Sequence, residues 1–275
     1  MYLNPASTYI TKILLAILLF VQALQSTALA EIIPAISTPE IVNQVMQDDV
    51  VYLGENHDRA KIHQQQLEII TQLQEKVADS EPKIAIAWEM FQRPFQPMLD
   101  RYLAGTITEQ QLREQSEYDT RWGFDWEFYA PILRYAKDKQ IPLIAMNTPE
   151  EITHKVAESG IENLEQFDYR YIPPAQDIDL SNAEYRQRLQ DIYEQHVEAG
   201  QGNSTDADNF FAAQVLWDET MAEAIALYHQ QHPDSQIVVL VGKAHVMNDY
   251  AIPDRVARRI DNPDFTQSTL LLNVE

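Results

Sequence analysis

The segment Val50–His57, which reads Val-Val-Tyr-Leu-Gly-Glu-Asn-His, joins a short apolar run to a glycine and then to two ionisable side chains. A run of β-branched and aliphatic residues that ends in glycine is typical of a buried strand in a parallel sheet. A second segment of the same form, Ile237–His245, carries Gly-Lys-Ala-His after its apolar run. Open α/β sheets bind ligands just beyond the carboxyl ends of their strands. The two Gly-x-x-His strings therefore predict two strands and one site.

Two further apolar runs end in the same way. Ile84–Trp88 is followed by Glu89, and Ile141–Met146 is followed by Asn147. Each polar residue alone would mark only the point where a strand meets solvent, but parallel strands place their carboxyl ends along one edge of the sheet. We therefore expect the strand-end residues to converge into one site. The members with catalytic capacity are Glu55, His57, Glu89 and His245.

The pattern as a whole predicts an α/β fold. Segments with helical spacing, among them one expected over Met90–Leu103, separate the strands, as in a mostly parallel central sheet flanked by helices. The long stretch 149–235 is expected to be a helical insertion that covers the carboxyl ends of the strands, and we call it the cover. Residues 31–275 are interpreted as a single domain, because 275 residues with 45% hydrophobic content can bury such a core.

A helix predicted from Asp206 to about His229 has polar side chains on its apolar face. Gln214 and Asp218 share the helical spacing of apolar residues such as Phe211. Burying polar groups without partners costs roughly 2–7 kcal/mol. Either the two residues bond each other across one helical turn, or they reach a polar site beneath the helix. The second interpretation makes both of them candidate ligand contacts.

The first thirty residues have the form of a secretory signal. Lys12 precedes the apolar stretch 13–21, and an Ala-x-Ala site at 28–30 predicts cleavage before Glu31. The apolar stretch is short for a membrane span. The expected location is therefore periplasmic or secreted, and an uncleaved N-terminal anchor is the alternative.

Charge and cysteine content narrow the function further. A formal charge of −22 argues against nucleic acid as a partner and against docking on anionic membranes, because both need clustered cations. The chain has no cysteine, which excludes disulfides and a lipid-modified cysteine, so a lipoprotein is not expected. A metal site would have to use His, carboxylate or Tyr ligands.

Histidine and glutamate at converging strand ends suit two kinds of chemistry. His57, Glu89 and His245 can bind zinc, manganese or cobalt, which then acidifies a bound water for hydrolysis. Alternatively, a Glu can orient an imidazole that acts as a general base without metal. Neither Gly-x-Ser-x-Gly nor a phosphate-binding Gly-x-x-x-x-Gly-Lys string occurs. A metal-dependent hydrolase is thus one candidate activity.

Several of these strings together resemble one known family. The matching segments are Leu53–Asp58 with His63, Trp88–Phe91 with Gln96, Trp122–Tyr129, Ala145–Asn147, Gln214–Ala222 and Val241–His245. In this order, over about residues 48–260, they resemble the ChaN-like haem-binding uptake family of the larger Tiki/TraB/erythromycin-esterase group. A lone Gly-x-x-His string is a weak signal, but the set is specific.

The resemblance implies a parallel-rich α/β fold, a haem cofactor and a role in haem or iron acquisition. The motif residues that it offers as ligand contacts are His63, Gln96, Asn147, Gln214 and Asp218. Histidine or tyrosine can ligate haem iron, and Tyr169 and Tyr171 in the aromatic part of the cover are the tyrosine candidates. Haem or another small molecule is the expected partner, and a homodimer and a membrane transport partner are left open.

The larger group implies hydrolysis instead. Its peptidases and esterases use Gly-x-x-His strings and a glutamate for hydrolysis, and His57, Glu89 and His245 match those positions. Glu55 corresponds to an acidic residue of the esterase branch, although in that branch the acid and the histidine are spaced differently. A haem binder needs an apolar slot and one or two axial ligands, so two Glu and two His on one edge favour the hydrolase. Haem binding ranks first because the resemblance is to that branch, and an interaction protein with an inactive site ranks third.

Overall fold

The computed structural model describes residues 37–77, 83–198, 204, 206–247 and 250–272, so the predicted signal segment lies outside the described residues. The strands within them are β1 (Val50–Glu55), β2 (Lys83–Gln92), β3 (Leu143–Asn147), β4 (Ser235–Gly242) and β5 (Gln267–Leu271). They form one sheet in the order β3-β2-β4-β1-β5, and each neighbouring pair is parallel. The predicted α/β class with a mostly parallel sheet is confirmed.

Helices cover both faces of this sheet. They are α1 (Thr38–Val45), α2 (Ala60–Val77), α3 (Gln96–Leu103), α4 (Glu109–Gln115), α5 (Tyr118–Arg121), α6 (Trp126–Lys139), α7 (Glu150–Ser159), α8 (Ala183–Glu198), α9 (Ala207–Gln231) and α10 (Ile252–Ala257). Alternate residues of β1 enter different cores: Val51 and Leu53 pack with α2 and α6, whereas Val50 and Tyr52 pack with α9 and α10. No helix in the described ranges combines the length and apolar character needed to cross a membrane.

Strand β2 extends beyond the end expected from its sequence. The apolar run suggested that a helix begins at Met90, but β2 continues to Gln92 and helix α3 begins only at Gln96. The pairing of β2 with β3 shifts register before it resumes at Gln92. Such irregular pairing bends a strand and re-aims its side chains. Glu89 lies in this stretch, and its carboxylate accepts the backbone N–H of Gly242 in β4 at 2.6 Å.

The cover is joined to the sheet through helix α9. Helices α7 and α8 pack with the first half of α9 around a hydrophobic cluster that includes Ile152, Val156, Leu189, Phe211 and Val215. The second half of α9 packs on the sheet, where Met221 and Ile225 belong to the cluster of that face. The middle of α9, around Asp218, therefore passes the carboxyl ends of the strands.

Candidate active site

Glu89 lies between the two histidines of the Gly-x-x-His strings. Nε2 of His57 is 4.0 Å from one carboxylate oxygen, and Nε2 of His245 is 3.6 Å from the other. Asn147 donates its side-chain amide to the backbone carbonyl of Glu89 at 2.8 Å, which holds the irregular part of β2 in place. His57, Glu89 and His245 are only 1%, 2% and 6% exposed. The strand ends thus bring these groups together in an enclosed site.

His57 is backed by a carboxylate on its other ring nitrogen. Nδ1 of His57 donates to Glu55 at 2.8 Å, and the hydroxyl of Tyr129 donates to the same oxygen at 2.7 Å. The second oxygen of Glu55 accepts the side-chain amide of Gln66 at 2.6 Å. Burial raises the pKa of Glu55, but the hydrogen bond and charge of His57, with His63 and Tyr129, outweigh it and lower that pKa below its usual value. Because a carboxylate can only accept, Nδ1 of His57 is the donor to Glu55, and Nε2 is the ring nitrogen that faces Glu89.

His245 has an equivalent arrangement from the opposite side. Its Nδ1 donates to Asp218 at 2.6 Å, and the hydroxyl of Tyr185 donates to the other oxygen of Asp218 at 2.6 Å. Burial lowers the pKa of His245, but the charge and hydrogen bond of Asp218 and the charge of Glu89 raise it to about 9. His245 is therefore protonated near neutral pH and can donate a proton. The two halves of the site therefore have the same arrangement: a tyrosine hydroxyl donates to a carboxylate, the carboxylate accepts from a histidine, and the histidine faces Glu89.

The polar face of α9 reaches the site through Asp218. The two oxygens of Asp218 contact His245 and Tyr185, so a bond to Gln214 is not what satisfies this carboxylate. Gln214 is buried one turn earlier on the helix. Neither Tyr129 nor Tyr185 was predicted as a site residue. Tyr129 belongs to an aromatic stripe that reads as core, and no sequence pattern distinguishes Tyr185 within α8.

His63 supports the first half of the site from helix α2. Its Nε2 donates to the backbone carbonyl of His57 at 3.1 Å, and its Nδ1 lies 3.2 Å from the side-chain oxygen of Gln66. The distance from Nδ1 to Glu55 is 3.6 Å. His63 is buried, so it braces the Glu55 pair from inside the protein.

Three predicted ligand contacts lie elsewhere. The side-chain amide of Gln96 donates to the carbonyl of Leu143 at 2.8 Å and accepts the N–H of Ala145 at 2.7 Å, which covers the free edge of β3. Gln96 and Tyr171 also line a groove of about 480 Å³ beside that edge. Tyr169 packs against the hydrophobic cluster of the cover. The structure thus places Tyr171 at the groove and Tyr169 against the cluster of the cover.

The metal hypothesis finds mixed support in the geometry. Nδ1 of each histidine is hydrogen-bonded to a carboxylate. Histidines that bind a metal through one ring nitrogen usually make such a hydrogen bond with the other. Within the described ranges, however, no group of three or more His, Cys, Asp or Glu side chains is arranged to hold a metal ion. A metal role for His57, Glu89 and His245 therefore stays a prediction.

The glycines of the two Gly-x-x-His strings, Gly54 and Gly242, differ in what a side chain added at each would contact. A Cβ at position 242 would lie 2.7 Å from Nε2 of His57, whereas one at 54 would lie 3.0 Å from the side chains of Leu271 and Val246. We expect Gly242→Ala to displace the imidazole, so hydrolytic turnover, the activity that the sequence predicts for this site, should fall much more than in Gly54→Ala. Gly54→Ala should mainly cost stability, about 1–3 kcal/mol, through overpacking. Turnover and thermal melting of both variants check this, and equal losses of turnover would contradict it.

The stability of the protein should fall at moderately alkaline pH. The pKa of His245 rises from its ordinary 6.5 to about 9 in the folded protein. A raised pKa stabilises the fold fully below the unfolded value, and this stabilisation is lost as pH rises through the folded one. The free energy of unfolding is therefore expected to decrease between about pH 6.5 and pH 9. Urea unfolding at several pH values measures it, and His245→Gln should flatten the curve over this range.

Comparison with known proteins shows which family the chain belongs to. Residues 41–256 match the family model described as haem-binding uptake, Tiki superfamily, ChaN. The chain belongs to this ChaN family. The resemblance predicted from the strand-end motifs is thereby confirmed, and the match includes every strand-end residue of the site.

A curated relative of the ChaN-family protein is Protein RETICULATA-RELATED 5, chloroplastic, of Arabidopsis thaliana, 27% identical over 241 residues. The alignment covers 82% of this chain but 31% of that relative, so the chain spans about a third of its length.

One solved structure shows the fold of the ChaN-family protein. A structure described as cofacial haem binding to ChaN of Campylobacter jejuni matches with a TM-score of 0.66 and 18% identity, over 87% of each chain. At that identity the match shows the fold alone. A mutant erythromycin esterase in an open conformation matches with a TM-score of 0.46 and 14% identity, over 84% of this chain and 71% of the esterase.

Proposed function

We propose that the strand-end site is the acid–base centre of a hydrolase. The observation that carries the proposal is the pair of carboxylate-backed imidazoles that face one buried glutamate. Nδ1 of His57 donates to Glu55, so Nε2 is the ring nitrogen that would accept a proton, and the pKa of His245, raised to about 9, suits His245 to donate one. On opposite sides of Glu89, two such imidazoles can serve as a general base and a general acid.

The chemistry follows from these roles. Water bonds to the carbonyl carbon of an ester or amide while its proton passes to Nε2 of His57. The tetrahedral intermediate then breaks its bond to the alcohol or amine, which takes the proton from Nε2 of His245. Glu89 lies between the two Nε2 atoms, so a proton can return through it from His57 to His245 and restore the starting state. Trp122 and Phe124, whose rings lie 4.8 and 4.9 Å from that of His57, shield this side of the site from bulk solvent, and the lower dielectric strengthens these interactions.

A substrate screen with chelation tests this proposal. p-Nitrophenyl acetate and peptide p-nitroanilides serve as ester and amide probes, and His57→Ala is the inactive control. Turnover that survives EDTA supports acid–base hydrolysis by the residues alone. Turnover that EDTA removes and zinc, manganese or cobalt restores would assign His57, Glu89 and His245 to a metal. No turnover of either class would contradict the proposal.

Haem binding is the second candidate, and a separate part of the molecule supports it. The groove beside β3 has a volume of about 480 Å³, within the usual range for ligand sites, and an apolar wall that includes Leu143 and Leu227. Tyr171 lines this groove, and tyrosine can ligate haem iron. The ChaN relative from Campylobacter jejuni binds haem according to its description. The groove, with an apolar wall and a phenol, fits haem better than the enclosed strand-end site does.

Haem absorbance should depend on Tyr171 but not on Tyr169. Tyr171→Phe removes the phenol that lines the groove, so a haem spectrum typical of tyrosine ligation should be lost or weakened at least about tenfold. Tyr169→Phe is the matched control, because Tyr169 packs within the cover. Titration of haem followed by visible absorbance measures both. Equal spectra for the two variants would place the ligand elsewhere.

We further propose that the protein is exported and handles haem or iron outside the cytoplasm. The signal-like pattern of residues 1–30 supports this, and mature protein should begin at Glu31. N-terminal sequencing of protein from its native compartment tests the cleavage, and an intact N-terminus would favour an anchored form. A homodimer formed on haem addition would appear as a doubled mass in solution, and a transport partner would have to bind the haem-loaded form.

A further inference from the structure

The strand-end site is enclosed, so a substrate can enter only if part of the protein moves. The segment that lies over one side of it is residues 160–198, which we call the outer segment. Helix α8 in this segment carries Tyr185, whose hydroxyl donates to Asp218 at 2.6 Å. Tyr185 is buried and its ring packs 4.9 Å from that of Tyr250. The outer segment therefore contributes directly to the hydrogen-bond network of the site.

A second contact holds the same segment one residue further along α9. Glu219 is fully buried and accepts the backbone N–H of Asp179 at 3.0 Å. Its carboxylate also pairs with three arginines: Arg255, Arg258 and Arg259. Arg258 and Arg259 donate to the carbonyl of Asp177 at 3.2 and 3.1 Å. Neighbouring residues of one helix thus serve different tasks, since Asp218 contacts the site and Glu219 fastens the outer segment.

The two tyrosines of the site differ in how they are held. Tyr129 is on α6, which packs in the main core against the sheet, so the hydroxyl that holds Glu55 comes from a helix of the central core. Tyr185 comes from the outer segment, and its hydroxyl reaches Asp218 in the closed arrangement that the structure describes. A hydrogen bond to an ionised carboxylate is among the stronger ones in proteins, and it fixes the orientation of its acceptor.

We propose that Tyr185 is a positioning residue that completes the His245 half of the site when the outer segment closes. The proposal rests on the hydrolytic function. In the closed state Tyr185 fixes Asp218, and Asp218 aligns Nε2 of His245 on Glu89. Opening for substrate entry removes this hydrogen bond and leaves the base half intact, so the acid half acts only on enclosed substrate. Closure that completes a catalytic constellation is a known source of selectivity.

Coupling of this kind is reciprocal, which gives a test that does not need turnover. His245→Ala removes the cationic partner of Asp218 and should weaken its bond to Tyr185. Hydrogen–deuterium exchange in residues 177–198 is then expected to rise roughly tenfold, as it should in Tyr185→Phe. His57→Ala is the matched control, because it breaks the other half of the site and should leave this exchange unchanged. Equal exchange in the His245 and His57 variants would overturn the proposal.

Kinetics separate positioning from a purely structural role. With p-nitrophenyl acetate as the probe, Tyr185→Phe is expected to lower kcat by about tenfold or more with little change in KM. Asp218→Asn, which retains the size of the side chain, serves as a second variant and should show the same pattern. Absence of turnover in the parent protein would defeat the hydrolase proposal, whereas normal kcat in Tyr185→Phe with unchanged exchange would defeat only this inference.

Discussion

Turnover of an ester or peptide probe is expected to fall about 1000-fold when His57 is replaced by alanine, and the additional loss of His245 should lower it little further. The reason lies in the shared position of Glu89. Both Nε2 atoms lie within 4.0 Å of its carboxylate, so neither proton transfer can proceed when either imidazole is missing. Residues that act as one unit show strongly non-additive losses. Rates of the two single variants and the double variant, measured at one pH, give the coupling directly.

The control for this prediction is a buried histidine outside the site. His229 is 5% exposed in α9, and its ring packs against that of Phe265. His229→Ala should therefore reduce stability and leave turnover near that of the parent. Fully additive losses in the double variant would mean that the two imidazoles are not coupled through Glu89. A large loss in the His229 variant would show that the assay reports stability instead of chemistry.

Glu219→Ala should destabilise the fold by about 3–5 kcal/mol, which is the usual cost of breaking a buried ion pair from one side. The substitution leaves three arginines without their shared carboxylate, and Arg255 among them is only 2% exposed. It also removes the acceptor of the Asp179 N–H. Glu219→Gln keeps the shape but not the charge, so its loss should be intermediate. Urea unfolding with comparison of slopes and midpoints measures both.

Glu223 provides the matched comparison on the same helix. Its side chain is about 17% exposed, and among the described residues its ion-pair partner is Arg93, whose side chain is 19% exposed. Glu223→Ala is expected to cost about 1 kcal/mol or less, because partly exposed pairs contribute little. If both substitutions cost the same, the triple-arginine cluster does not hold the outer segment. A neutral effect of Glu219→Ala would point to solvent access around the arginines after the carboxylate is lost.

The hydrolase and haem proposals concern different places in one molecule. The strand-end site lies under α9, whereas Tyr171 and Gln96 line the groove beside β3. His57→Ala should therefore leave haem absorbance unchanged, and Tyr171→Phe should leave turnover unchanged. Measuring haem absorbance and turnover in both variants decides whether the protein has one of these functions or both.

Much of the site could be predicted from the sequence because parallel strands have a simple geometry. Apolar runs of strand length reveal their ends, and topology places those ends on one edge, so Glu55, His57, Glu89 and His245 could be grouped without coordinates. The irregular end of β2 was missed. Its pairing partner lies more than fifty residues away in β3, and no local pattern reports a shift in register.

The sequence by itself determined the parallel α/β sheet, the family and the strand-end cluster, because each follows from local periodicity and from motif order. Only the tertiary structure decided which helical side chains complete the site. Tyr129 and Tyr185 read as ordinary aromatic residues, and they become site residues because the packing of α6 and α8 aims their hydroxyls at Glu55 and Asp218. Whether a helical residue meets solvent, core or a distant carboxylate depends on the rotation and tilt of the packed helix, which distant contacts set.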